Sequence, residues 1–181
     1  FTPENIALKA LPLGEIIANW SAVDGATGYQ VLLGSSPNDL SINSTVNATS
    51  ISLNKPDGNY FIAIKAYREQ NGKIAYSPQS EVKSIRSISV APLSPNNIVL
   101  NTQATQVELT WQATAEAITV IKRSQSNDVN SAELLIETGN TSYIDYTPIK
   151  NAHYWLATKD IAGNLSAWAH VQELSISVDP V

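Results

Sequence analysis

In the run Tyr60-Phe61-Ile62-Ala63-Ile64-Lys65-Ala66-Tyr67, apolar residues recur at every second position rather than at helical spacing. Side chains of an extended chain point to opposite faces in turn, so Tyr60, Ile62, Ile64 and Ala66 are expected on one side of a strand. Comparable short stretches lie at 16–20, 29–33, 49–53, 82–88, 107–111, 118–122, 143–146, 154–159 and 171–178. Turn formers separate them: Val23-Asp24-Gly25-Ala26-Thr27-Gly28, Pro56-Asp57-Gly58-Asn59, Gln70-Asn71-Gly72, Thr138-Gly139-Asn140 and Ala162-Gly163-Asn164. The one candidate helix spans 131–137, and its Leu134-Leu135-Ile136 suits a short strand better. Short strands at regular spacing, divided by Gly, Asn, Asp and Pro, predict an all-β antiparallel sandwich.

The pattern then repeats. Ile16-Ile17-Ala18-Asn19-Trp20 and Val107-Glu108-Leu109-Thr110-Trp111 are both apolar strands ending in Trp, 91 positions apart. A turn and a second apolar strand follow each, and each half closes on an alternating strand, a polar hairpin and a last strand. Repetition at about the length of a seven-stranded module argues for two tandem sandwiches, 1–90 and 91–181, rather than one large one. Ala91-Pro92-Leu93-Ser94-Pro95 lies at the expected junction, where two prolines fix φ and remove amide donors.

Composition narrows the function. Cys is absent, which removes disulfides, thiolate metal sites and cysteine nucleophiles. Met is absent too, so the chain is expected to be a processed or excised piece of a longer protein. Residues 1–90 balance seven Lys/Arg against seven Asp/Glu, and residues 91–181 carry four against nine, the whole of the net −5. Neither half has the basic stripe that a phosphate backbone demands, so nucleic acid is not an expected partner. No stretch approaches the roughly 20 apolar residues of a membrane span, so no membrane insertion is expected.

These residues resemble the fibronectin type III family over nearly the whole chain. Trp20 matches the core Trp of the family's second strand. Tyr60, Ile62, Ile64, Ala66 and Tyr67 match its sixth-strand pattern Tyr-x-Ile-x-Val-x-Ala-Val. The resemblance makes Tyr60 a corner tyrosine, bonded back to nearby backbone, with Leu53 packed beneath that loop. In the second half Trp111 keeps its place, but Ala152 stands where the corner Tyr belongs, with Tyr154 and Leu156 as the next inward positions, and Ile118 stands where a Tyr often begins the third strand.

Asp160-Ile161-Ala162-Gly163-Asn164-Leu165-Ser166-Ala167-Trp168 and Tyr143-Ile144-Asp145-Tyr146-Thr147-Pro148 are similar to modules in the host-recognition tail-tip proteins of long-tailed bacteriophages. Ala26-Thr27-Gly28-Tyr29 echoes a turn in modules of secreted bacterial glycosidases and adhesins. The resemblance implies non-catalytic spacer or binding modules in a virion tail, or outside or on the surface of a bacterial cell. It implies no cofactor, and as partners the neighbouring domains of the parent protein and a bacterial surface receptor or polysaccharide.

Catalytic chemistry finds little support in the residues. The two histidines, His153 and His170, are expected to face solvent and to open the last strand, and two isolated histidines without Cys do not make a metal-ligand set. The carboxylate pairs Asp145 with Asp160 and Glu133 with Glu137 are expected in loops or on exposed strand faces, as solvated charge. Asp128-Val129-Asn130 lacks the acidic spacing of a calcium loop. Sequons begin at Asn19, Asn43, Asn47, Asn140 and Asn164, as chance provides in a chain this rich in Asn, Ser and Thr.

The aromatic residues divide in two. Trp20, Trp111, Tyr60 and Tyr154 are expected core residues. Trp155, on the face opposite Tyr154 and Leu156, together with Trp168 and Tyr76 near hairpin ends, are the candidate surface-binding residues. The alternative is that these three cover a seam with a neighbouring domain.

Overall fold

Residues 1–173 are described in a computed structural model, and the alternating stretches form strands in it. They fall into two units, Phe1–Val90 and Ala91–Val181. The first holds β1 (Ala7–Ala10), β2 (Glu15–Asn19), β3 (Gly28–Ser36), β4 (Asp39–Val46), β5 (Ser50–Asn54), β6 (Gly58–Gln70), β7 (Lys73–Tyr76) and β8 (Lys83–Ser87). One antiparallel sheet has the order β1-β2-β5, and the other β4-β3-β6-β7 with β8 paired to the first half of β6.

The period-2 pattern decides which side chains fill the interior. Ile16 and Ala18 of β2, Val31 of β3, Leu53 of β5, and Ile62, Ile64 and Ala66 of β6 are buried in one cluster. Each large aliphatic side chain removed from water there contributes about 1.5–3 kcal/mol. Trp20 meets Tyr29 edge to face, ring centroids 5.5 Å apart. The Tyr29 hydroxyl accepts the Val23 amide at 2.8 Å and pins the turn before β3. The Tyr60 hydroxyl donates to the Pro56 carbonyl at 3.2 Å, the corner bond that the resemblance implies. Asn71 and Gly72, at φ 52° and 71°, make the two-residue turn between β6 and β7.

The second unit holds β9 (Asn96–Thr102), β10 (Val107–Gln112), β11 (Ile118–Ser124), β12 (Glu133–Thr138), β13 (Ser142–Asp145), β14 (His153–Lys159) and β15 (Ala169–Gln172). Its sheets run β13-β10-β9 and β12-β11-β14-β15, repeating the order of the first unit. Val107, Leu109, Trp111, Ile121, Ala152, Tyr154 and Leu156 form its interior. The Trp111 indole N–H donates to Thr119 Oγ1 at 2.9 Å, which satisfies a buried donor. From Glu133 onward the segment at 131–137 is strand β12, and Ser131 ends a short 3-10 turn, Val129–Ser131, that Asp128 caps through the Asn130 amide.

Four strands, β1, β4, β7 and β9, have no counterpart among the expected ones. Each lies at a sheet edge. All four residues of β7 are exposed, and most of β4 is Ser, Asn, Asp and Thr. β7 buries neither face and has no reason to alternate, while Leu8 of β1, Val46 of β4, and Ile98 and Leu100 of β9 are only partly buried against the cores. Polar side chains at such edges discourage edge-to-edge pairing. The last expected strand, 171–178, is β15 at Ala169–Gln172, and positions 174–178 lie outside the described residues.

Candidate binding surface

β11 turns Thr119, Ile121 and Arg123 toward the interior, so the alternation that builds the core also carries a guanidinium into it. Arg123 is only 8% exposed, and Asp145, at the end of β13, is 1% exposed. One guanidinium nitrogen of Arg123 donates to Asp145 Oδ2 at 2.7 Å and to the Thr147 carbonyl at 2.6 Å. The Glu133 carboxylate caps the opposite side of the guanidinium. The Tyr154 hydroxyl donates to Asp145 Oδ2 at 2.8 Å, and the Thr147 amide to Oδ1 at 2.9 Å. Burial alone would push the Asp145 carboxyl up, but the bonds from Tyr154, Thr147 and Arg123 outweigh it and hold it below the usual range. Burial and that same carboxylate push the Tyr154 phenol well up, so it stays a donor.

This corrects the expectation that Asp145 is solvated charge in a loop or on an exposed face. Arg123 supplies the compensating charge that lets the carboxylate stand inside. The network also replaces the missing corner bond: with Ala152 at the corner position, Tyr154 anchors to Asp145 instead. Asp145 and Asp160 belong to different networks. Asp160 Oδ1 takes the Ala162 and Asn164 amides at 2.9 and 3.0 Å, and its Oδ2 takes the Asn164 side-chain amide at 2.8 Å. With Gly163 at φ 90° in the left-handed region, the Asp-x-Ala-Gly-Asn sequence is a self-capped turn. Asn164 is buried in it, which is no place for a glycan. Glu133 and Glu137 do lie exposed on β12, bound to Arg123 and Lys159 respectively.

The opposite face of the β11-β14-β15 sheet is aromatic. Register places Lys122, Trp155 and His170 side by side across three strands. The rings of Trp155 and His170 lie 4.3 Å apart, centroid to centroid. Lys122 Nζ stands 5.2 Å from the centre of the Trp168 ring, a cation–π contact. His153 Nδ1 and His170 Nε2 are 2.8 Å apart. Their ring planes differ by 14° with centroids 5.1 Å apart, so the rings meet edge to edge. His153 is 8% exposed, against the expectation that it faces solvent. It does point to the outer face, where the His170 ring lies against it. Burial, with the neighbouring His153, lowers the pKa of His170.

Two of the three candidate surface residues, Trp155 and Trp168, are thus brought into one cluster, where both are half-buried. Tyr76 is in the other unit, 54% exposed and tilted against Tyr67 at 6.2 Å. The two tyrosines border an open cleft of about 270 Å³, shared with Phe1, Val23, Ala26 and Arg68. Arg68 is occupied there by the Gly25 and Asp24 carbonyls at 2.6 and 3.1 Å. Sequence reasoning missed Lys122, Arg123 and the pairing of the two histidines. The available signal was a basic pair on a strand, one member inward and one outward. Among the described residues no three His, Asp or Glu side chains converge as a metal site, and no helix is long and apolar enough to cross a membrane.

No family model matches the sequence, and no curated protein matches it. Among solved structures, a crystal structure of the chicken CNTN1 FN1–FN3 domains superposes with a TM-score of 0.66. The match covers 95% of this chain and 67% of that one at 15% identity. At that identity the likeness is one of fold: antiparallel sandwiches of the immunoglobulin-like, fibronectin type III type. Such sandwiches serve as binding or spacer modules in many unrelated proteins, so function has to be argued from the surface.

Proposed function

We propose that the two sandwiches are non-catalytic spacer and binding modules of a larger phage or prophage tail-tip protein that takes part in host recognition. The observation that carries the non-catalytic reading is how the reactive side chains are used. Asp145, Arg123 and Tyr154 saturate one another inside the second unit, Glu133 is ion-paired to Arg123 from the exposed side of β12, and Asp160 closes its own turn. A general acid or base needs a lone pair or proton free to meet a substrate. The tail-tip context is supported by the resemblance of the 160–168 hairpin and the 143–148 loop. Immunogold electron microscopy of particles carrying the parent protein tests it. Label at the tail tip is the expected result, and label confined to cytosolic complexes refutes it.

A second reading, an accessory module of a secreted bacterial carbohydrate-active enzyme or a surface adhesin, draws on the Lys122–Trp155–His170–Trp168 cluster. Half-exposed indoles beside a lysine on an outer sheet face suit contact with sugar rings. Glycan-array binding lost in Trp155→Ala would favour it, and an array negative for the parent chain would remove it.

A further inference from the structure

The pairing of the two histidines has a use that neither reading absorbs. They are the only histidines in the chain, yet they lie on adjacent antiparallel strands with ring nitrogens 2.8 Å apart. His153 is opposite Gln172 and His170 is opposite Trp155, so the pair is diagonal across the β14–β15 ladder, on the outer face. Side chains in cross-strand register share a face. The Gln172 amide and the Ser124 hydroxyl therefore stand on the same side as His153. The charged group in register with this row is Lys122, and it is held over Trp168. Each ring is hydrogen-bonded to the other histidine. Nothing in those contacts requires a charged imidazole, and a neutral imidazole is the form that ligates metals.

We propose that His153 Nδ1 and His170 Nε2 form a two-nitrogen site for a borderline divalent transition ion, Cu²⁺ above Ni²⁺ and Zn²⁺, clipping β15 to β14. Two imidazole nitrogens bound at about 2.0–2.1 Å, with angles between right and tetrahedral, lie roughly 2.9–3.4 Å from each other. Binding replaces the hydrogen bond between the two nitrogens: its proton moves to the other nitrogen of the same ring, the pair opens by a few tenths of an ångström, and both rings turn so that their lone pairs meet at the ion. Two nitrogens leave further positions for the Gln172 amide oxygen and for water. Such a set selects copper in the usual affinity order and disfavours Ca²⁺ and Mg²⁺, which require oxygen-rich cages. Because β15 is an edge strand, the ion would tie down an element whose outer side has no ladder partner among the described residues.

Trp155, 4.3 Å from His170, is a built-in reporter, because bound Cu²⁺ quenches indole fluorescence at short range. Titrating the full chain with CuCl₂ at neutral pH should quench fluorescence at 1:1 stoichiometry with a micromolar dissociation constant. Zn²⁺ should compete and should shift the imidazole nitrogen resonances of both histidines, while Ca²⁺ should do neither. His170→Gln, at an exposed position, should weaken Cu²⁺ binding at least tenfold with an unchanged circular dichroism spectrum. His153→Gln is the second arm, read by the residual His170 resonance. Quenching that survives intact in His170→Gln, or Zn²⁺ that perturbs only one of the two rings, overturns the site. So does an absence of saturable Cu²⁺ binding below millimolar concentration.

Discussion

Replacing Tyr154 by Phe removes one oxygen from the interior of the second unit and leaves the ring in place. That hydroxyl donates to Asp145 Oδ2 at 2.8 Å, and the tyrosine is fully buried. A hydrogen bond to a charged acceptor contributes about 1.5–3 kcal/mol. At tenfold per 1.4 kcal/mol, the variant should open about 10- to 150-fold more often. Tyr60→Phe in the first unit is the internal control. Its hydroxyl donates to a neutral carbonyl, that of Pro56, at 3.2 Å near the surface. That bond contributes about 0.5–1 kcal/mol, roughly two- to fivefold. Native-state amide hydrogen exchange on the full chain reads the two units separately. Faster exchange in Tyr154→Phe should be confined to the second unit, greatest along β11 and β14. A Tyr154→Phe effect no larger than that of Tyr60→Phe would refute the view that a charged, buried anchor replaces the corner bond.

Acid should act on the same group. The folded-state pKa of Asp145 is held below its ordinary 3.8, so the unfolded chain takes up the proton first. The stability it supplies is complete above that ordinary value and is lost as pH falls through the folded one. The unfolding midpoint of the second unit, followed from pH 6 to pH 2, should show that loss, and Asp145→Asn should flatten it. Thr119→Val orphans the Trp111 indole N–H and should cost about 1–3 kcal/mol in urea unfolding followed by tryptophan fluorescence. Asp160→Ala removes three hydrogen bonds from one turn. Nuclear magnetic resonance should show disorder confined to the 160–168 hairpin, with a stability loss of about 1–2 kcal/mol.

The sandwich fold was legible because its information is local. Ile62, Ile64 and Ala66 on one face of β6, the Asn71-Gly72 turn, and the two strands ending in Trp20 and Trp111 state period, punctuation and repeat within a few residues each. Edge strands such as β4 and β7 were silent, since β7 is exposed throughout and β4 sets little besides Val46 against the core. The candidate surface was half legible: alternation placed Trp155 outward, but nothing local said that Trp168 and Lys122 would join it. Asp145 was misread for a related reason. A carboxylate near a turn looks like solvated charge until a guanidinium 22 residues away arrives from another strand. His153 and His170, 17 positions apart, looked isolated until the β14–β15 register set them in contact. Side-chain direction follows from backbone periodicity and can be read from sequence. The identity of a partner across a sheet depends on which strands pair and in which register, and only the folded chain decides that.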